Sequence, residues 1–185
     1  GKSNLDLSKK IAAQAGVTLG QIDLETFSDG ELRVAFKENI RGENVFLIQS
    51  TNPPAENLME LLLMLDAAKR ASAKTVTAVI PYYGYARQDR KDQPRVPISA
   101  RMILDLMESA GVDRMITMDL HSPQIQGFTN VPLDNLYSRI ALFNKLQDYN
   151  LNINNGVVLA PDIGSAKMSQ SYAKKLGIGF ALIDK

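Results

Sequence analysis

Cysteine is absent from the 185 residues. That excludes disulfides, thiolate metal sites and a cysteine nucleophile, and it fits a reducing compartment, so the cytoplasm is the expected setting. Long apolar runs are missing too. The longest, Leu61–Leu65, falls far short of the ~20 residues needed to span a bilayer. No signal-peptide pattern opens the chain, and no secretion is expected. An excess of one charge is also lacking, with 21 Lys plus Arg against 20 Asp plus Glu. No global basic field therefore draws the chain to nucleic acid or a membrane surface, and any anion site must be local. Neither GxxxxGK[ST] nor GxGxxG occurs, and a kinase-type Gly-rich loop is absent, so none of those nucleotide folds is indicated.

What is present is a globular composition, 45% apolar and 22% charged, with strand-like and helical patterns in alternation. Val45–Gln49, Val76–Ile80, Met115–Met118, Val157–Ala160 and Phe180–Ile183 read as buried core strands. Leu58, Leu61, Leu62, Leu65 and Ala68 recur at helical spacing, as do Ile98, Met102 and Leu106, and later Ile140 and Phe143. An α/β fold with a mostly parallel sheet flanked by helices follows. Leu7, Ile11 and Ala15 predict an opening helix closing at Gly16. Gln21–Thr26 and Glu31–Phe36 predict a hairpin or flap around Phe27-Ser28-Asp29-Gly30. No repeat, low-complexity tract or flexible linker marks a domain boundary. The chain reads as cut at both ends, because no strand precedes the first helix and Lys185 closes directly after a strand.

The densest chemistry lies in Pro81-Tyr82-Tyr83-Gly84-Tyr85-Ala86-Arg87-Gln88-Asp89-Arg90-Lys91, at the carboxyl end of a predicted strand, where open α/β sheets bind ligands. Three tyrosines offer rings for stacking a base, and Arg87, Arg90, Lys91 and Arg95 offer cations for polyphosphate. Composition alone reads equally as a solvated loop with its rings packed on the core; the strand-end position favours a nucleotide. Asp119-Leu120-His121 and Pro161-Asp162 follow two other strands and could bring an imidazole and a carboxylate to the same rim. Mg²⁺ suits such a sparse set, since it keeps several waters and bridges substrate phosphates, although imidazole is not its preferred ligand. A lone histidine is more often a packed residue than a ligand. Pro161–Ser165, before a predicted helix, could bind an anion at the helix start. Phe27–Glu31 could be a plain Asp-Gly turn.

Through Phe27–Glu31, Gln49-Ser50-Thr51, Leu58–Leu62, Tyr82–Lys91 and Asp119–Gly127, the chain resembles the ribose-phosphate pyrophosphokinases almost end to end. The resemblance implies a type I phosphoribosyltransferase-like fold with two similar α/β domains, the first over 1–140 and the start of the second over 141–185, and assembly into a hexamer. It implies that Arg87, Gln88 and Asp89 hold ATP, while the flap residues Phe27, Asp29, Gly30 and Glu31 reach the nucleotide of a neighbouring subunit. His121 and Asp162 match metal-contacting positions for Mg²⁺, with Asp119 a weaker candidate. Lys185 matches the lysine that opens the mobile catalytic loop; the rest of that loop and the ribose 5-phosphate loop have no counterpart, so a polypeptide ending there is expected to be inactive. Arg41, Ser72, Gln126 and Asp134 match positions near a regulatory site for phosphate and ADP. Asn39, Val96 and Ser165 depart from frequent family residues, which leaves regulation open and weakens the match around Asp162.

The activity implied is transfer of the pyrophosphoryl group of MgATP to the anomeric hydroxyl of ribose 5-phosphate, releasing AMP. A non-catalytic regulatory homologue is the alternative, disfavoured because no insertion interrupts the sequence before Lys185. A phosphoribosyltransferase using the product as donor would share the fold. Its paired acidic residues after an apolar strand are not seen.

Overall fold

The computed structural model describes residues 1–183, which fall into two compact units, one ending at Leu136 and the other beginning at Tyr137. Composition gave no sign of this division, since no Gly/Ser-rich segment lies at the junction.

The first unit opens with helix α1 (Leu5–Gln14), capped by the Asn4 side chain, which accepts from Leu7 N–H. It ends before Gly16, whose φ of +72° lets the chain turn out of the helix. Strands β1 (Ile22–Thr26) and β2 (Leu32–Phe36) then form the expected antiparallel hairpin. A parallel sheet follows, built from β3 (Asn44–Ile48), β4 (Thr75–Ile80), β5 (Arg114–Met118) and β6 (Leu133–Leu136) in sequential order. Helices α2 (Glu56–Arg70) and α3 (Ser99–Ser109) are its crossovers. A strand order stepping one way through right-handed crossovers lays both helices on one face, where they touch each other.

The core sits on that face. Leu47, Val76, Ala78, Ile80, Met115 and Leu133 alternate toward Leu58, Leu61, Met64, Leu65 and Ala68 of α2 and Ala100, Ile103, Leu104 and Met107 of α3. The α3 stripe differs from the expected one: Met102 and Leu106 are exposed. Residues 102–104 and 106–107 are all apolar, so several helix faces fit the spacing, and packing on the sheet selects the one with the small Ala100 against it.

Strand β6 was not expected, because Leu133-Asp134-Asn135-Leu136 has neither alternation nor β-branched residues. It is held by the ladder with β5, continued by Met115 N–H to Pro132 O and Asp119 N–H to Leu136 O. Between β5 and β6 runs a 3₁₀ turn, Pro123–Phe128, with Ile125 fully buried.

The second unit carries helix α4 (Arg139–Gln147) and a β-α-β element. In that element β7 (Val157–Ala160) and β8 (Gly179–Leu182) pair in parallel across α5 (Ala166–Leu176). Phe143 is buried, but Ile140 is exposed. Contrary to expectation, β7 and β8 are not core strands here: Val157, Leu159, Phe180 and Leu182 are exposed and Ala160 alone of the β7 residues is buried. A two-stranded sheet with one crossover helix has too few layers to cover both faces.

Candidate nucleotide site

The carboxyl ends of β3, β4 and β5 converge on one rim of the first unit, and three loops leave it there. Gln49, Ser50 and Thr51 end the first run, each at least nine-tenths buried. Their placement starts from the segment before α1, where Ser3 Oγ donates to Gln49 Oε1 at 2.7 Å and accepts from Ser50 N–H at 2.9 Å. Gln49 Nε2 donates in turn to Glu60 Oε1 on α2 at 3.0 Å.

The connection 81–98 after β4 is long, and Pro81, Pro94 and Pro97 keep it from becoming helix or strand. It is pinned from three sides. Thr51 N–H donates to Tyr82 O at 2.9 Å, and Gly84 N–H donates to Thr51 Oγ1 at 2.8 Å. Gly84 packs so closely that a Cβ there would lie 2.1 Å from Thr51 O. Tyr83 is buried, its hydroxyl donating to Ala100 O at 2.8 Å, and desolvation, with Asp105 adding to it, drives its phenol well above the usual range. Of the three tyrosines expected to stack a base, Tyr83 is therefore a core residue, and only Tyr82 and Tyr85 are exposed.

These anchors leave Arg87, Gln88, Asp89, Arg90 and Asp92 along the wall of a cleft of about 360 Å³. His121, Ser122 and Gln124 from the loop after β5 form the opposite wall. Four expected site residues, Arg87, Gln88, Asp89 and His121, thus meet in one place. Both loops hold a non-glycine residue in the left-handed region, Tyr85 at φ +64° and Asp119 at φ +48°. Such conformations cluster at functional sites because surrounding bonds must enforce them. Around Asp119 the enforcers are Leu120 N–H donating to Asn135 Oδ1 at 3.1 Å and the buried Leu120 side chain.

Among the described residues, the cations of the 81–98 connection sit in no internal ion pair. Arg33, Arg70, Arg101 and Arg114 are each engaged by a carboxylate. Arg87, Arg90, Lys91 and Arg95 pair with none among the described residues, although Asp89 and Asp92 line the same cleft. Cations unspent on internal carboxylates are available to an external anion. Ser122 Oγ, on a side chain 7% exposed, meets no hydrogen-bond partner among the described residues. Sequence reasoning missed Ser122, Asp92 and Gln124; adjacency to His121 and Arg87 was the only signal available for them.

A metal could draw on His121, Asp89 and Asp92 of this cleft, yet no three His, Cys, Asp or Glu among the described residues form a cluster able to hold one. So sparse a set fits an ion that keeps water and substrate phosphate as most of its shell. Asp162 lies in the second unit, where its Oδ1 accepts from Ser165 N–H at 2.8 Å and caps the 3₁₀ turn Ile163–Ser165 leading into α5. The flap residues Phe27, Asp29, Gly30 and Glu31 are exposed at the hairpin tip. The tip is closed by Phe27 N–H to Glu31 O at 2.8 Å and Glu31 N–H to Asp29 Oδ1 at 3.1 Å, with Gly30 at φ +96°. Arg41 and Ser72 are close together, through Gly42 N–H to Ser72 O, at the amino ends of β3 and β4. Asp134 is engaged by Arg114, and Gln126 Nε2 bonds Pro123 O in the turn after β5. These four positions, expected from the resemblance to be regulatory, thus have separate partners among the described residues. Lys185 lies outside the described residues.

Comparison with known proteins bears on this arrangement. Residues 1–111 match the family model for the N-terminal domain of ribose phosphate pyrophosphokinase. Ribose-phosphate pyrophosphokinases of Chlorobaculum tepidum and Porphyromonas gingivalis are 54% and 52% identical over the whole chain, which covers 57% and 59% of their lengths. The crystal structure of phosphoribosylpyrophosphate synthetase from Mycobacterium smegmatis superposes with a TM-score of 0.90 at 38% identity, over all of this chain and 62% of that one. The chain thus spans about three-fifths of the relatives it matches. With a family model covering more than half of its residues, the chain belongs to the ribose-phosphate pyrophosphokinase family.

Proposed function

We propose that the protein carrying this chain binds MgATP in the cleft between the 81–98 connection and His121, and transfers its pyrophosphoryl group to the anomeric hydroxyl of ribose 5-phosphate. The observation that carries this reading is the convergence of Arg87, Gln88, Asp89 and His121 on one cleft whose arginines pair with no carboxylate among the described residues. The sugar hydroxyl attacks the β-phosphorus and AMP leaves with the electron pair of the broken P–O bond. Pyrophosphoryl transfer asks little covalent chemistry of a protein; positioning and neutralisation of charge spread over the phosphate oxygens dominate. Arg87 would supply that charge from the 81–98 connection, and by the resemblance Lys185 would contribute as well. By the resemblance, His121, Asp162 and Asp119 are each candidates to contact Mg²⁺, and the ion would neutralise phosphate charge. The exposed flap, with Phe27 at its tip, suits contact with the nucleotide of a second copy, in keeping with a hexamer. The division near residue 136 supports two domains, the second beginning at about the same point as the 141 expected from the resemblance. By the resemblance, Arg41, Ser72, Gln126 and Asp134 would lie near a regulatory site for phosphate or ADP. A cytoplasmic setting accords with the lack of cysteine and with the described residues offering no helix long and apolar enough to cross a membrane.

The test is AMP release from MgATP by the full-length protein, with and without ribose 5-phosphate. Sugar-dependent release should fall by roughly 10²–10³-fold in Arg87→Ala, the scale for losing one charge-stabilising group. Thermal stability should be unchanged, since Arg87 is exposed and bonds no carboxylate among the described residues. Release indifferent to the sugar, or a variant at the unaltered rate, would refute the reading.

A further inference from the structure

Helix α3 starts in an unusual way. Its N-cap is Ile98, which has no side-chain acceptor, so the first N–H groups of the helix must find partners elsewhere. Ala100 N–H finds the backbone oxygen of Gln88 at 3.1 Å, eleven residues or more upstream. Ser99, 5% exposed, does not use its hydroxyl on the local backbone, as serine near a helix start commonly does. Its Oγ donates instead to Gln88 Oε1. Gln88 therefore serves α3 with both of its carbonyl groups while also lining the cleft.

We infer that Ser99 is a positioning residue that holds the Gln88 side chain in place, with its amide oxygen engaged and its NH₂ left to meet the nucleotide. This rests on the nucleotide reading above. A glutamine amide has an oxygen that accepts and an NH₂ that donates, and a half-turn about its last bond exchanges them at little cost. With the oxygen held by Ser99, the NH₂ is the end left for the cleft, beside the guanidinium groups of Arg87 and Arg90. An NH₂ so placed meets ligand atoms that accept, such as phosphate oxygens or unprotonated ring nitrogens. Without the Ser99 hydroxyl the Gln88 side chain would sample other rotamers, and part of each binding event would be spent selecting the productive one. Ser99 touches no substrate in this scheme; it acts through Gln88.

The experiment is a double-mutant cycle in the full-length protein, reading the dissociation constant of ATP by calorimetry and KM and kcat by AMP release. Ser99→Ala should weaken ATP roughly three- to ten-fold, the scale of one hydrogen bond between neutral groups, with kcat within about two-fold. Ser99→Thr, which keeps the hydroxyl, should restore affinity. In a Gln88→Ala background, Ser99→Ala should change ATP affinity by less than about 1.5-fold. An equal loss in both backgrounds, or no loss in the first, would overturn the inference while leaving ATP binding by the unaltered protein intact. Failure of the unaltered protein to bind ATP would overturn the nucleotide reading, and this inference with it.

Discussion

Replacing Gly84 with alanine tests the packing that holds the connection 81–98 proposed to bind the nucleotide. The added Cβ would lie 2.1 Å from Thr51 O and 3.0 Å from its carbonyl carbon. Both are backbone atoms of a residue 2% exposed, so no flexible side-chain end can give way. Relief requires the Gly84 and Thr51 backbones to part by about 1 Å. That movement also stretches the 2.8 Å bond from Gly84 N–H to Thr51 Oγ1. Overpacking costs about 1–3 kcal/mol and a lost buried bond about 1 kcal/mol, so the expected loss of stability is about 2–4 kcal/mol. At about 2–4 °C per kcal/mol, the scale for 150–250 residues, that lowers Tm by roughly 4–16 °C. Arg87 and Gln88 follow three and four residues later, and a misplacement of about 1 Å at a catalytic group can cost 10²-fold in rate. Melting followed by circular dichroism, with AMP release on the same samples below the transition, checks both effects. Thr51→Val separates them, because it removes the Oγ1 acceptor and leaves Gly84 N–H unpaired without the steric push; about 1–3 kcal/mol should be lost. A Gly84→Ala protein with unchanged Tm and unchanged activity would refute the claim that this contact sets the loop.

Two further outcomes are expected. Asp113 joins α2 to the start of β4, accepting from Lys69 Nζ at 2.8 Å and from the buried Val76 N–H at 2.7 Å. Asp113→Ala should cost about 1–3 kcal/mol by orphaning that N–H, whereas Asp113→Asn should cost less, as chemical denaturation would show. Burial pushes the Asp113 carboxyl up, but the Lys69 and Val76 bonds outweigh it and the net shift is downward. Its contribution should therefore be whole above about pH 4 and fade as the pH falls through the lower folded value, a loss absent from Asp113→Asn. Asp162 separates capping from metal binding: Asp162→Asn can still accept from Ser165 N–H and should keep the unaltered Tm while requiring more Mg²⁺ for activity. Asp162→Ala should lose about 0.5–2 kcal/mol of stability as well. Equal Mg²⁺ titrations for Asp162→Asn and the unaltered protein would remove Asp162 from the metal site.

Much of this was legible in the chain because it depends on neighbours in sequence. Strands β3, β4 and β5 announce themselves through apolar runs between helical patterns, and the hairpin through Asp29-Gly30, where the φ of +96° needs glycine. The nucleotide loop could be placed at a strand end from order alone, and the motifs Tyr82–Lys91 and Asp119–Gly127 named the family before any geometry was known. The tertiary structure decided what depends on partners distant in sequence. It chose the Ala100, Ile103, Leu104 and Met107 face of α3 over the equally apolar Met102 and Leu106. It made β6 a strand by ladder bonds that its own residues do not predict, and it put Tyr83 in the core by giving its hydroxyl Ala100 O. It also paired Ser99 with Gln88 and Thr51 with Gly84. Local spacing limits which elements a chain can form; which face is buried, and which polar groups meet, is settled when separate elements compete for the same space and the same hydrogen bonds.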